Sequence, residues 1–213
     1  MKPAKPDTDY RALVRRGYDR IAPAFNQARA SESPDELRPL LDLLPEGSTV
    51  LDLGCGTGVP IARALARYHD VVGLDISGGQ LGLAVEQVPG GQFIQGDLSR
   101  CHFRAGSFAA VVSFYAIFHT PLSEHPALIR RIGEWLAPGG YFLATLSPQH
   151  EDGYTEEFFG TEMFWSNLGL KEYLAILEDS GFKVIHGSSV GHGYTDAEAK
   201  PEQHPLVLAK KVR

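Results

Sequence analysis

Short apolar blocks alternate with amphipathic stretches along most of the chain. Thr49–Leu53, Val71–Asp75, Gln92–Gln95, Ala109–Phe114 and Tyr141–Leu146 are brief runs, most of them rich in β-branched and aromatic residues, and predict strands. Between them, helices are expected from the glycine turn to about Tyr68, over Gln80–Gln87, and from Pro126 to Leu136, where Ala137-Pro138-Gly139-Gly140 forces a turn. Near-continuous apolar strands separated by helices predict a parallel sheet covered on both faces. The fold class is therefore α/β, a three-layer, doubly wound, mostly parallel sheet.

The two ends read differently. Asp9 to Ala28 has helical apolar spacing at Leu13, Tyr18, Ile21 and Phe25, with a kink or break expected at Pro23. Ser33-Pro34-Asp35-Glu36 has the form of a capped helix start, and Leu37, Leu40, Leu41 and Leu44 make the stripe behind it. Residues 1–45 are read as a helical lid and 46–213 as the main domain. The stretch His150–Thr161, within an insert placed at about 148–170, is acidic and aromatic without clear period and is expected to be a loop. Leu170–Ser180 is helical, capped by Gly181. Lys183–His186 and Leu206–Lys210 complete seven strands, and Gly187–His204 is expected to wander over the surface.

Composition narrows the function. The chain has 213 residues and a net charge of −6, which argues against nucleic acid as the main partner. Two cysteines, Cys55 and Cys101, stand far apart, which suits a reducing compartment. No apolar run suggests a signal peptide or a membrane span, so a cytoplasmic protein is expected.

The chemistry concentrates in Val50-Leu51-Asp52-Leu53-Gly54-Cys55-Gly56-Thr57-Gly58. A strand runs into a turn with glycine at every second position, where the backbone can turn tightly and approach a ligand. Asp52 lies where it can reach an ammonium group. Asp75 and Asp97 end the next two strands, the edge at which open α/β sheets bind ligands. One such carboxylate can take both hydroxyls of a ribose and the other an exocyclic amine. A dinucleotide fingerprint, G-x-G-x-x-G, is broken here by the third glycine coming one position early and by Val59-Pro60, which ranks an NAD(P) oxidoreductase well below.

Over roughly residues 47–146 the chain resembles the class I S-adenosylmethionine (SAM)-dependent methyltransferases, through LDLGCGTG, Asp75, Gly96-Asp97-Leu98, Phe108–His119 and Leu136-Ala-Pro-Gly-Gly140. The resemblance implies SAM as cofactor and methyl transfer to a small molecule at O, N or C; a non-catalytic SAM-binding module is the alternative on the same fold. It implies that Asp52, Gly54 and Gly56 surround the methionine end, with Cys55 and Gly58 also in the cofactor set, that Asp75 and Ile76 hold ribose and adenine, and that Asp97 and Leu98 read the adenine edge. Phe114 of the fourth-strand motif joins the cofactor set, and Tyr18, in a stretch similar to the family's N-terminal lid, is implied near the sulfonium. His119 and Tyr115, at the mouth of strand four, are the candidate catalytic residues. Asp97 lacks neighbours for a metal, so none is expected.

Overall fold

The computed structural model describes residues 1–3, 8–29, 34–192 and 202–212. Among these, strands β2 (Thr49–Leu53), β3 (Asp70–Asp75), β4 (Gln92–Gln95), β5 (Phe108–Ser113), β6 (Leu136–Thr145), β9 (Phe182–His192) and β10 (Glu202–Lys211) form one sheet in the order β4-β3-β2-β5-β6-β10-β9. The first five are parallel, and β10 lies antiparallel between β6 and β9. From β2 the chain winds outward through β3 to β4, then returns to lay β5 on the other side of β2. That reversal opens a crevice at the carboxyl ends of β2 and β5.

Strand alternation builds a core on each face. Leu51, Leu53 and Val111 point to one side, beneath α5 (His125–Trp135) and α6 (Leu170–Asp179). Val50, Ala110 and Val112 point to the other, against α2 (Arg38–Leu41) and α3 (Ile61–Leu65). The expected three-layer, seven-stranded architecture is the one observed.

A third cluster joins the ends of the chain. Val14, Ile21 and Phe25 of α1 (Tyr10–Arg29) pack on Met163 and Phe164 of a hairpin formed by β7 (Glu151–Phe158) and β8 (Thr161–Asn167). Tyr10 stacks on Phe164 with ring centroids 4.1 Å apart. Asp9 Oδ1 accepts from the Ala12 N–H at 3.0 Å and begins α1, which runs unbroken through Pro23 because its buried face, Ile21, Ala22 and Phe25, is held by docking.

Several local expectations change. The stretch His150–Thr161 is no loop: its core is β7, paired with β8 and, on its outer edge, with β1 (Lys2–Pro3). Phe159 and Gly160 connect the hairpin with φ of 50° and 74°, the two positive values a tight hairpin turn requires. The expected helix from Ser33 to Leu44 is reduced to a 3₁₀ turn, Asp35–Leu37, and the four-residue α2; Ser33 itself lies outside the described residues. Ala137–Gly140 belongs to β6 rather than to a turn before it, with the irregularity absorbed as a register shift against β5. Long edge pairing likewise draws Gly187–His192 into β9 and Glu202–His204 into β10; residues 193–201 lie outside the described set.

Candidate functional site

The glycine turn after β2 is set by backbone geometry. Gly54 has φ +77°, and a Cβ there would lie 2.2 Å from Ala116 Cβ in the loop after β5, so only glycine lets the two strand ends meet. Asp75 at the tip of β3 fixes the turn from the side. Its Oδ2 accepts from the Gly56 N–H and its Oδ1 from the Ser77 N–H, both at 2.9 Å. Ser77 then caps α4 (Gly78–Gln87), its hydroxyl accepting from the Gln80 N–H at 3.0 Å.

The crevice is a cleft with about 870 Å³ of empty space, including its open mouth. Tyr18, Asp52, Gly54, Cys55, Gly56, Asp75, Ile76, Asp97, Leu98, Phe114, Tyr115 and His119 all line it. Gly58 does not: with φ +78° it faces α4, where a Cβ would lie 2.7 Å from Val88 Cγ2, and its place is to let helix and turn pack.

Electrostatics divide the cleft. Burial pushes the Asp52 carboxyl up to about 7, the Asp75 charge adding to the shift and the Arg29 guanidinium opposing it. Burial likewise takes Asp75 to about 6 against the hydrogen bonds from Ser77 and Gly56. Asp52 Oδ2, Thr57 Oγ1 and both amide atoms of Gln80 are buried here without a partner among the described residues. Such groups are costly to bury unsatisfied, and in a cleft they point to a polar ligand. They offer an anion, a hydroxyl and an amide, beside the buried Arg29 cation, whose guanidinium carbon lies 5.7 Å from the ring centres of both Phe25 and Tyr115. Thr57, Gln80 and Arg29 escaped the sequence reading; Thr57 lies inside the glycine motif, whereas Gln80 on α4 and Arg29 on α1 carried no local signal.

Asp97 lies in the cleft but is engaged by α1. Its Oδ1 accepts from the Ser99 N–H and hydroxyl, both at 2.8 Å, and its Oδ2 is paired with Arg11 Nε from α1. Arg11 also pairs with Glu124. An adenine amine approaching Asp97 would therefore share the carboxylate with Arg11.

At the opposite wall, His119 ends a 3₁₀ turn, Ile117–His119, after β5. Its Nδ1 lies 2.7 Å from the Phe164 carbonyl on β8, and its Nε2 2.8 Å from the Tyr18 hydroxyl on α1. Burial lowers its pKa to about 4, so the ring is neutral at pH 7. Trp165 lies against His119 with ring centroids 4.4 Å apart. Tyr115 is held in the left-handed region at φ 55°, its N–H donating to Thr145 Oγ1 at 2.7 Å. A non-glycine residue there is strained, and such strain collects at functional sites. His125, the next histidine, is buried between the Thr120 carbonyl and the Tyr173 hydroxyl, each 2.9 Å away, and braces α5 against α6 outside the cleft. Among the described residues no group of acids, histidines and cysteines is arranged to hold a metal ion.

This geometry agrees with what the chain is similar to. Residues 50–140 match a family model described as a methyltransferase domain. A trans-aconitate 2-methyltransferase from Deinococcus radiodurans is 36% identical over 132 residues, 60% of this chain and 48% of that protein. The chain spans about half or less of the first such relatives, down to 27% of phosphoethanolamine N-methyltransferase 3 of Arabidopsis thaliana, 33% identical over 60% of this chain. The solved structure of the 1,6-didemethyltoxoflavin-N1-methyltransferase of Burkholderia thailandensis, with its substrate and S-adenosylhomocysteine (SAH) bound, superposes with a TM-score of 0.75 at 18% identity, over 100% of this chain and 93% of its own. Magnesium protoporphyrin IX methyltransferase from Synechocystis PCC 6803, with SAM bound, gives 0.73 at 17%, over 98% and 100%. Those two likenesses speak for the fold, and the family match for the segment carrying the glycine turn and the strand-tip acids. Residues 50–140 are thus similar to a methyltransferase domain, and the fold built around them is the one that these two solved methyltransferases share.

Proposed function

We propose that this protein transfers a methyl group from SAM to a small molecule. The observation that carries the reading is the set of unsatisfied polar atoms on Asp52, Thr57 and Gln80, converging with Arg29 in one cleft beneath the glycine turn. Together they complement a zwitterionic amino-acid tail: Asp52 for the ammonium, Arg29, Thr57 and the Gln80 amide for the carboxylate. Asp75 with Ile76 would hold the ribose and the adenine face, and Leu98 with Phe114 would flank the base. Asp97, committed to Arg11, would contribute by placing the lid over the adenine edge. Residues 1–45 act in this reading as a cap on the domain that follows.

Bound there, SAM supplies a methyl carbon activated by positive sulfur, and the work left to the chain is alignment and exclusion of water. Tyr18 and Phe25 from α1, with Tyr115 and His119 from the loop after β5, form an aromatic wall opposite the acids. These side chains would hold the acceptor, with His119 and Tyr115 nearest the chemistry. The small-molecule acceptor is supported by relatives whose names specify trans-aconitate, phosphoethanolamine and an amino sugar nucleotide. The net charge of −6 weighs against a nucleic acid as the main partner.

Calorimetry with SAH tests the reading. Micromolar or tighter binding is expected, weakened about ten- to a hundredfold by Asp75→Ala, which removes a charged hydrogen-bonding anchor. No binding by the wild-type protein, or affinity unchanged in the variant, would overturn the assignment.

A further inference from the structure

The direction of the hydrogen bonds along Phe164, His119 and Tyr18 restricts the acceptor. A carbonyl oxygen only accepts, so the bond from His119 to the Phe164 carbonyl, 2.7 Å long, places the ring proton on Nδ1. In a neutral imidazole Nε2 is then a bare lone pair, and the Tyr18 hydroxyl, 2.8 Å away, donates its one hydrogen to it. The hydroxyl oxygen is left with lone pairs only. Whatever else approaches it must be a hydrogen-bond donor.

Three remote segments make this chain: Tyr18 from α1, His119 from the loop after β5 and Phe164 from β8. Tyr18 and His119 both line the cofactor cleft, with Tyr115 beside them. Both ring nitrogens of His119 are bonded to uncharged groups, so no carboxylate is in place to stabilise an imidazolium. Burial works in the same direction and keeps the ring neutral at pH 7. The pair is therefore built to orient a donor and is poorly suited to store a proton.

We propose that the methyl acceptor is a neutral amine nitrogen, oriented by an N–H hydrogen bond to the Tyr18 oxygen, with His119 the positioning residue that turns the Tyr18 hydrogen away from the cleft. An amine needs no base before it reacts. Its nitrogen lone pair forms the N–C bond as the C–S bond breaks, the electron pair of that bond goes to sulfur, and the product leaves as the protonated methylamine. An alcohol would have to lose its proton into the His119 ring, where no counter-charge waits. A carboxylate would set its oxygen lone pairs against those of Tyr18.

The proposal rests on the SAM reading, and one pair of probes separates the two. Sinefungin carries an amine-bearing carbon where SAM has its methylated sulfur, whereas SAH has no group there. Binding of SAH reports on the cofactor site; the sinefungin-to-SAH affinity ratio reports on the Tyr18 oxygen. The wild-type protein should bind sinefungin at least about tenfold more tightly than SAH. Tyr18→Phe, which keeps the ring and removes the oxygen, should abolish the preference while leaving SAH affinity within about threefold. The ¹⁵N shifts of His119 in the SAH complex should show a protonated Nδ1 and a bare Nε2, unchanged between pH 6 and 8. Equal affinity for both probes, a preference that survives Tyr18→Phe, or a proton on Nε2 would each overturn it. Failure to bind either probe would instead count against the cofactor assignment beneath it.

Discussion

The two walls of the cleft are made by opposite means. The wall proposed to take the cofactor comes from consecutive strand tips: Asp52 and Gly54 at the end of β2, Asp75 at the end of β3, and Asp97 just after β4. It is acidic, glycine-rich and held by backbone hydrogen bonds, as where Asp75 ties Gly56 to Ser77. The wall proposed to take the acceptor is aromatic and is gathered from far apart, with Tyr18 and His119 separated by 101 residues and His119 and Phe164 by 45. A cofactor of fixed shape suits a site that one sheet edge makes by itself. An acceptor pocket assembled from lid, loop and hairpin can change without disturbing that edge, and so one fold can serve different acceptors.

This contrast can be broken most sharply at Gly54. Gly54→Ala forces a Cβ into Ala116 Cβ at a φ of +77°. Strain and overpacking together should cost about 2–5 kcal/mol, or roughly 5–15 °C in melting temperature by calorimetry, with loss of measurable SAH binding. Retention of both stability and binding would show that the turn is not the rigid member of the pair.

A smaller effect concerns pH, and it belongs to the cofactor wall alone. Asp52 and Asp75 titrate at about 7 and about 6 when folded, above the ordinary carboxylate range. Over the window from about 4 to 7 these two carboxyls thus hold more protons in the folded state than in the unfolded chain, and their contribution to stability without ligand falls as pH rises through it. Binding of a ligand ammonium beside Asp52 favours the ionised carboxylates and expels those protons. SAM affinity should therefore climb with pH, by roughly tenfold from pH 6 to 7.5, with proton release visible as a buffer-dependent binding enthalpy. A flat profile would break the electrostatic half of the comparison. His119, held at about 4 by burial, adds nothing to the binding profile between pH 6 and 7.5, while in the stability profile it opposes the two acids, because unfolding lets it take up a proton.

The smallest expected effect is at the seam between the walls. Arg11 of α1 pairs with Asp97 after β4 and with Glu124 beyond it. All three side chains are partly open to solvent, so Arg11→Ala should cost only about 1 kcal/mol, a melting shift of about 2–4 °C. It should also raise hydrogen exchange along α1 more than along β2 and β3. Equal acceleration in both would mean that the lid and the sheet open as one unit.

What could be read in the chain follows this same division. The strands β2, β3 and β4, the helices α4 to α6, and the run of Asp52, Gly54, Gly56 and Asp75 were legible because period and turn chemistry are local properties. Gly58 was misread because a glycine needed for backbone approach to a ligand and one needed for approach to a helix look alike until Val88 is seen beside it. The hairpin of β7 and β8 was hidden because its glutamates lie on the exposed side while Met163 and Phe164 turn inward, and only docking of α1 gives that inner face something to cover.

The sequence by itself determined the class of fold and the chemistry of the cofactor edge, since each depends on residues within a few positions of one another. Tertiary structure alone decided which polar groups stand unpaired in the cleft, that Asp97 answers to Arg11, and that Tyr18 donates to His119. Those outcomes depend on burial and on the direction of a hydrogen bond between distant segments, and neither is defined until the segments meet.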